Sequence, residues 1–170
     1  TPLMDSFACN FNILSAGTPR VRGVREILSE WTAWRLDCVK RRIYFDLGRK
    51  KEKLHLLLGL GKILLDIDKA IAIIRNTERE ADVVPNLMSG FGIDKVQAEF
   101  VAEIKLRNIN REYILKRTAE TEDLERDIAE LEATLQSRRK LQNIIIKELE
   151  RIIKDYPSPR RTGIVYADEL

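Results

Sequence analysis

Two helical stretches of opposite charge, with a compact segment between them, constrain this chain more than any other feature. From about Arg25 to Lys53 the pattern is helical and basic, dominated by Lys40, Arg41 and Arg42 and then by Arg49, Lys50, Lys51 and Lys53. From about Arg111 to Leu135 it is helical again but turns acidic. There Glu120, Glu122, Asp123, Glu125, Asp127, Glu130 and Glu132 stand against Arg126. Within that stretch Thr121, Leu124, Ile128, Leu131 and Leu135 alternate three and four apart, which is the seam spacing of a coiled coil. Opposite sign on the two stretches predicts one antiparallel hairpin, with the intervening residues folded at its tip. The expected class is mainly α: a long antiparallel coiled-coil hairpin, a small helical domain at its tip, and a short N-terminal β segment.

Composition supports long solvated helices, since charged residues make up 34% of the chain and aromatics only 6%. The net charge of +3 is small, so segregation of charge carries the signal, not its sum. Cys9 and Cys38 have no CxxC spacing and only His55 for company, while a structural zinc site needs about four ligands. They read as thiols in a reducing compartment. The longest uncharged apolar run, around Leu54 to Gly61, falls far short of the roughly 20 residues of a membrane helix. A soluble, cytoplasmic protein is expected. The chain opens at Thr1 without a basic-then-apolar leader and reads as a piece of something longer.

Along the chain, Phe11 to Leu14, a turn at Ala16-Gly17-Thr18-Pro19, and Val21 predict a hairpin over residues 1–23. A helix over 24–59 follows, with Ile27, Trp31, Trp34 and Cys38 as one stripe. Leu36, Val39, Ile43, Leu47, Leu54 and Leu57 continue an apolar face. Extended from 24 to 58 it would be about 50 Å long at 1.5 Å per residue. The insert at 60–110 should hold three short helices. One carries Ile63, Leu64, Ile67, Ala70, Ile71 and Ile74. A second is capped by Thr77 with Glu80, runs to Met88 and is kinked or cut short by Pro85. A third is capped by Asp94 with Gln97 and runs to about Arg107. Asn108-Ile109-Asn110 is the joint before the return helix at 111–136. A break at Gln136–Arg138 precedes an amphipathic helix at 137–156, with Leu141, Ile145, Leu149 and Ile152 on one face. Pro157 and Pro159 stop it, and Ile164-Val165-Tyr166 in the tail at 157–170 could add an edge strand.

With the insert at the far end, residue 111 lies beside about 58 and residue 135 beside about 34. Asp127 then falls near Arg42, and Glu120 near Arg49. Such exposed pairs, worth about 0.2–1 kcal/mol each, choose register more than they stabilise. The same basic run can instead hold phosphate. Gly59-Leu60-Gly61-Lys62 is no phosphate loop: no Ser or Thr follows the Lys, Leu56 replaces the first Gly, and no strand precedes it. His55 sits among leucines without a nucleophile. The 120–132 carboxylates form a paired or solvated face. No catalytic or metal-binding residue is expected in this chain.

Several motifs together resemble the A subunit of bacterial type IIA topoisomerases, DNA gyrase and topoisomerase IV. They are Thr1-Pro2-Leu3-Met4-Asp5-Ser6-Phe7, Asn10-Phe11-Asn12, Gly17, Arg20 and Val24-Arg25-Glu26-Ile27-Leu28. Arg41-Arg42 with Phe45-Asp46-Leu47, then Lys50-Lys51-Glu52-Lys53-Leu54-His55, are similar to the descending coiled-coil helix of that protein. Phe91-Gly92-Ile93, Val96-Gln97-Ala98 and Leu106-Arg107 are similar to its most recognisable signature, and Arg160-Arg161-Thr162 to the end of its core. The resemblance implies a tower-domain edge at 1–23, coiled-coil helices at 24–59 and 111–136, and a dimerising exit gate at 60–110. It implies a homodimer, a partnering B subunit, and double-stranded DNA as substrate. The holoenzyme would be an ATP-dependent isomerase. Its ATP and magnesium would be bound through the B subunit, with no cofactor bound here.

That family's nucleophilic tyrosine follows an Arg in a winged-helix domain. The four tyrosines here follow Ile43, Glu112, Asp155 and Val165, so this stretch by itself should cut nothing. Met88, Phe91, Leu106 and Ile109 are candidates for the dimer contact, and Arg20, Arg22 and Arg25 for DNA contact. Two other readings stand beside the gate: a basic nucleic-acid-binding helical module, and a generic coiled-coil scaffold.

Overall fold

The structure, a computed structural model, describes residues 8–105 and 109–163. It is mainly α-helical with a short N-terminal sheet. Strands β1 (Asn12–Ser15) and β2 (Thr18–Val21) pair antiparallel, with Ser15 opposite Thr18. Ala16 and Gly17 form a two-residue turn, both with positive φ (50° and 79°), the twist that lets flanking strands pair tightly. The turn is thus shorter than the sequence suggests. Pro19 pairs with Leu14 inside β2, where a two-stranded sheet leaves outer backbone N–H positions unused. Leu14 is exposed, so the apolar run of this hairpin is not core.

Helix α1 spans Val24–Leu64 without interruption, passing straight through Gly59 and Gly61. Helix α2 (Ile67–Asn76) starts where the Asp66 side chain accepts from Lys69 N. Thr77 does not begin a helix as expected; it ends α2. Its N–H bonds Ile74 O, its hydroxyl donates to Ile73 O, and that hydroxyl accepts from the Asn86 side chain. A 3-10 turn (Glu80–Asp82) then leads into α3 (Val83–Phe91). Pro85 lies in the first turn of α3, where the N–H it lacks would have no intrahelical partner, so it neither kinks nor cuts the helix.

Gly92, at φ 60°, closes α3 in the left-handed conformation that glycine tolerates. Helix α4 (Lys95–Ala102) has the expected capping box between Asp94 and Gln97 but stops short of Arg107, which lies outside the described residues. The Asn110 side chain caps α5 (Arg111–Leu135) by accepting from Tyr113 N. Ser137 caps α6 (Arg138–Asp155). The expected edge strand at 164–166 lies outside the described residues.

The chain divides into two compact units. One comprises the residues up to Arg41 together with those from Ser137, and the other is Arg42–Gln136. In the first, Val39, Leu141 and Ile145 are buried, and Arg35 pairs with Glu148 at 2.6 Å. Trp31 and Trp34 stay largely exposed and, with Leu149 and Ile152, line a cavity of about 290 Å³. The tryptophan stripe is therefore less buried than its periodicity suggests. In the second unit, Leu57, Leu60 and Ile63 of α1 pack with Ala70, Leu87, Ile93, Ala98, Val101 and Leu124 as one core.

That core brings α4 onto the backbone of α1. A methyl group at Gly59 would come within 2.7 Å of Gln97 Cβ and Cγ, so the α1–α4 contact requires glycine there. Gly61, two residues on, has nothing within 4 Å of its would-be Cβ. The two glycines should respond oppositely to alanine. Gly59→Ala is expected to lose about 1–3 kcal/mol to overpacking. Gly61→Ala should gain about 0.4–1 kcal/mol by restricting the unfolded chain. Urea unfolding of the two variants checks both signs, and equal effects would contradict the close approach at residue 59.

Candidate functional site

Within Arg42–Gln136 two features stand out: a charged clasp between α1 and α5, and the helical cluster of α2, α3 and α4. The clasp follows from the charge segregation of the sequence. Lys50 Nζ meets Asp127 at 2.6 Å, Lys51 Nζ meets Glu132 at 2.5 Å, and Lys53 pairs with Glu120. Glu120 also receives Arg117 from its own helix, and the Arg117 guanidinium lies 4.9 Å from the Tyr113 ring centre. The sense is antiparallel: Lys53, the farthest of the three along α1, meets Glu120, the earliest of the three carboxylates in α5, while Lys50 and Lys51 meet Asp127 and Glu132 beyond it.

The register differs from the sequence expectation, which put Asp127 beside Arg42 and Glu120 beside Arg49. Asp127 and Glu120 instead meet lysines farther along α1. The expected register assumed a descending helix ending near residue 58. Because α1 continues to Leu64, the partner of any α5 residue moves along it. Beneath the charges, Leu124 and Ile128 are buried, while Thr121, Leu131 and Leu135 are half-buried. The Thr121 hydroxyl is satisfied by Arg117 O of its own helix.

Glu120 carries the electrostatic signature of the clasp. The Lys53 ammonium, through its hydrogen bond, holds this carboxyl below its ordinary value of 4.5, and the Arg117 charge adds to the effect against the opposing cost of burial. A depressed carboxylate pKa contributes stability that is present above the ordinary value and lost as pH falls through the folded one.

The helical cluster is tied down by polar contacts that sequence reading missed. The buried Gln97 side chain donates to His55 O at 2.7 Å, and its carbonyl accepts from Asp94 N. Asp94 accepts from Gln97 N at 2.9 Å and pairs with His55 Nε2. The Gln97 backbone N–H, and after it His55, hold the Asp94 carboxyl below its ordinary value. One side chain thus caps α4 and fastens α4 to α1. The only sequence hint was the capping-box spacing; nothing local marks its bond to residue 55.

Two lysines similarly close α3. Lys62 Nζ donates to Gly92 O at 2.9 Å and Lys69 Nζ to Gly90 O at 2.7 Å, while Lys69 lies 4.9 Å from the Phe91 ring centre. Both ammonium groups thus meet carbonyls at the negative end of the helix. Lys62, the last residue of the false phosphate motif, serves here as a structural donor on an unbroken helix.

Of the residues expected at a dimer contact, Met88 and Phe91 are half-buried against the core. Ile109 is half-buried and lines a cavity of about 300 Å³, and Leu106 lies outside the described residues. The large apolar side chains left exposed nearby include Leu58, Leu65, Ile71, Ile74 and Val96. In the first unit Arg20 is exposed on β2, and Arg22 is half-buried with Glu26 3.6 Å away. Arg25 is exposed and shares with Arg138 the lining of a cavity of about 710 Å³. No group of three or more metal-ligating side chains occurs among the described residues. No helix among them is long and apolar enough to cross a membrane.

Comparison with known proteins identifies the family. The family model for the A subunit of DNA gyrase/topoisomerase IV matches residues 1–150. The chain belongs to this family. It is 38% identical over 170 residues to the DNA topoisomerase 4 A subunit of Escherichia coli K12, covering 99% of this chain and 22% of that protein. It is 33% identical over 168 residues to the DNA gyrase A subunit of Synechocystis, covering 99% of this chain and 20% of that protein. Similarity to the topoisomerase 4 A subunit of Pseudomonas aeruginosa is 35% over 166 residues, covering 97% and 22% respectively. The chain therefore spans about a fifth of the length of the curated relatives it matches.

The clasp should be visible in the acid limb of stability. Glu120→Gln is expected to lower unfolding stability by about 0.5–1 kcal/mol near pH 7. That deficit should close as pH falls below about 4.5, where the wild-type carboxylate protonates as well. Lys53→Met should reproduce the trend. A deficit that stays constant down to pH 3 would show that ionisation of Glu120 is not what the clasp uses.

Proposed function

We propose that this chain is the exit-gate and coiled-coil part of a type II topoisomerase A subunit. Residues 60–110 hold two A subunits together and part to release the transported duplex during ATP-dependent strand passage. The observation that carries this reading is the charge-paired α1–α5 contact leading directly into a helical cluster whose core it joins through Leu57 and Leu124, in a member of the gyrase and topoisomerase IV A-subunit family. Lys50, Lys51 and Lys53 are engaged by carboxylates, which favours their role in pairing helices over a role in phosphate binding. The paired α5 seam and the family membership also favour a gate over a generic coiled-coil scaffold.

The domains proposed are a tower edge (1–23), a descending helix (24–59), the gate (60–110), a returning helix (111–136), an amphipathic helix (137–156) and a tail (157–170). The working enzyme is a cytoplasmic homodimer of A subunits joined to B subunits, acting on double-stranded DNA. ATP and magnesium are held by the B subunits, and the cleaving tyrosine is supplied by A-subunit residues outside this stretch. This chain binds no cofactor of its own.

A second role rests on Arg20 and Arg25, which are exposed, with Arg138 lining the same cavity as Arg25. These guanidinium groups suit duplex phosphates near the first unit, with affinity that falls as salt rises. Arg22 contributes less, because Glu26 partners it.

The gate reading predicts that the 170-residue chain is a dimer in solution at micromolar concentration. Multi-angle light scattering across a dilution series reads this directly. A strict monomer at several hundred micromolar would overturn the dimerising role.

A further inference from the structure

A cavity of about 470 Å³ opens in the second unit, where α1, the end of α4 and the start of α5 meet. Small-molecule sites commonly measure roughly 300–1,000 Å³. Lys53 of α1, Lys105 after α4 and Arg117 of α5 reach the wall of this cavity. Phe100 and Tyr113 add ring surface to it, and Glu103 adds one carboxylate.

The fold does not use up the donors of these cations. Lys105 is exposed and has no ion-pair partner among the described residues. The Lys53 ammonium pairs with Glu120 and carries three N–H donors. Arg117 reaches Glu120 through Nη1 and lies over the Tyr113 ring, while its Nε–H is buried without a hydrogen-bond partner among the described residues. A buried donor left unpaired costs free energy that an incoming acceptor recovers. The field around these groups is positive: Lys53, and after it the Arg117 charge, hold the Glu120 carboxyl below its ordinary value.

We infer that this cavity binds a small organic phosphate monoester that carries a ring. Near pH 7 such a phosphate brings a charge of about −1.5 to −2 and three acceptor oxygens. That matches three cations supplied by three different segments, whereas a carboxylate offers one charge and two oxygens. A turn of the Arg117 guanidinium towards the cavity presents its Nε–H to a phosphate oxygen, the fork geometry that arginine has and lysine lacks. The ring of the ligand lies against the half-buried Phe100, because Arg117 already covers Tyr113. All three cations line a single cavity, whereas a nucleic-acid backbone is tracked by cations spread along a groove.

The site adjoins the clasp, since Lys53 and Arg117 serve both. It does not depend on the dimerising role, and a monomeric chain would bind the same ligand.

Isothermal titration calorimetry on the 170-residue chain tests it, with phenyl phosphate, inorganic phosphate, benzoate and a short DNA duplex as probes. Phenyl phosphate should bind saturably, at least about threefold tighter than inorganic phosphate and tenfold tighter than benzoate. Lys105→Gln should weaken it about three- to tenfold, and this exposed substitution leaves the clasp pairs in place. Arg117→Lys should weaken it about tenfold, because it keeps the charge facing Glu120 and loses the fork. Circular dichroism confirms that both variants are helical. Absence of saturable binding up to about 10 mM phenyl phosphate would overturn the site. Undiminished affinity in both folded variants, or benzoate as tight as phenyl phosphate, would overturn it equally. Residue-dependent binding of the duplex without binding of phenyl phosphate would give these cations to nucleic acid and overturn the small-molecule site.

Discussion

The close approach of α4 to the α1 backbone is the contact on which the helical unit depends. It is possible because residue 59 has no side chain, and it is fastened by the buried Gln97 amide reaching His55 O. Leu57, Leu60 and Ile63 lie along the same stretch of α1 and meet the apolar faces of α2, α3 and α4. A branched side chain at residue 59 would hold α4 away and open the core beside it. Hydrophobic burial supplies most of the stabilisation of such a core, and the buried amide makes its geometry unique because its polar atoms must be satisfied.

The charged clasp has a different task. Its lysine–carboxylate pairs sit near the surface, where each contributes little and salt screens it. They select which residues of α1 lie beside which residues of α5, while Leu124 and Ile128 beneath them supply the burial. This separation suits a moving part. A contact whose direction is set by charge, and whose strength is set by a narrow apolar seam, can be positioned accurately without being made irreversible.

Much of the fold is legible in the sequence. Periodicity, with an asparagine just before it, bounds the return helix at Arg111 and Leu135, and α5 spans those residues. The Asp94–Gln97 capping box and the break before α6 are readable because caps act within one helical turn. Thr77 with Glu80 carries an equally good capping pattern and forms none. Its backbone and hydroxyl are taken by the end of α2 and by Asn86, a competition that a local pattern cannot register. The end of α1 lies beyond its expected place for a related reason. Gly59 and Gly61 look like helix breakers, yet the penalty for glycine in a helix is only about 1 kcal/mol, which packing overrides.

Properties that depend on neighbours along the chain were already settled by residue order: helical periodicity, caps, the opposite sign of two helices, and the family motifs. Properties that depend on distance in space needed the folded arrangement. These are the lysines that meet Asp127 and Glu120, the glycine that must stay bare for Gln97, and the apolar faces left unpartnered once the core had closed. Ion-pair register shifts whenever a helix end moves, and exposure is known only after every other face has found its neighbour. The charge pattern therefore foretold that the two helices would pair, and only the packing beyond residue 59 settled where.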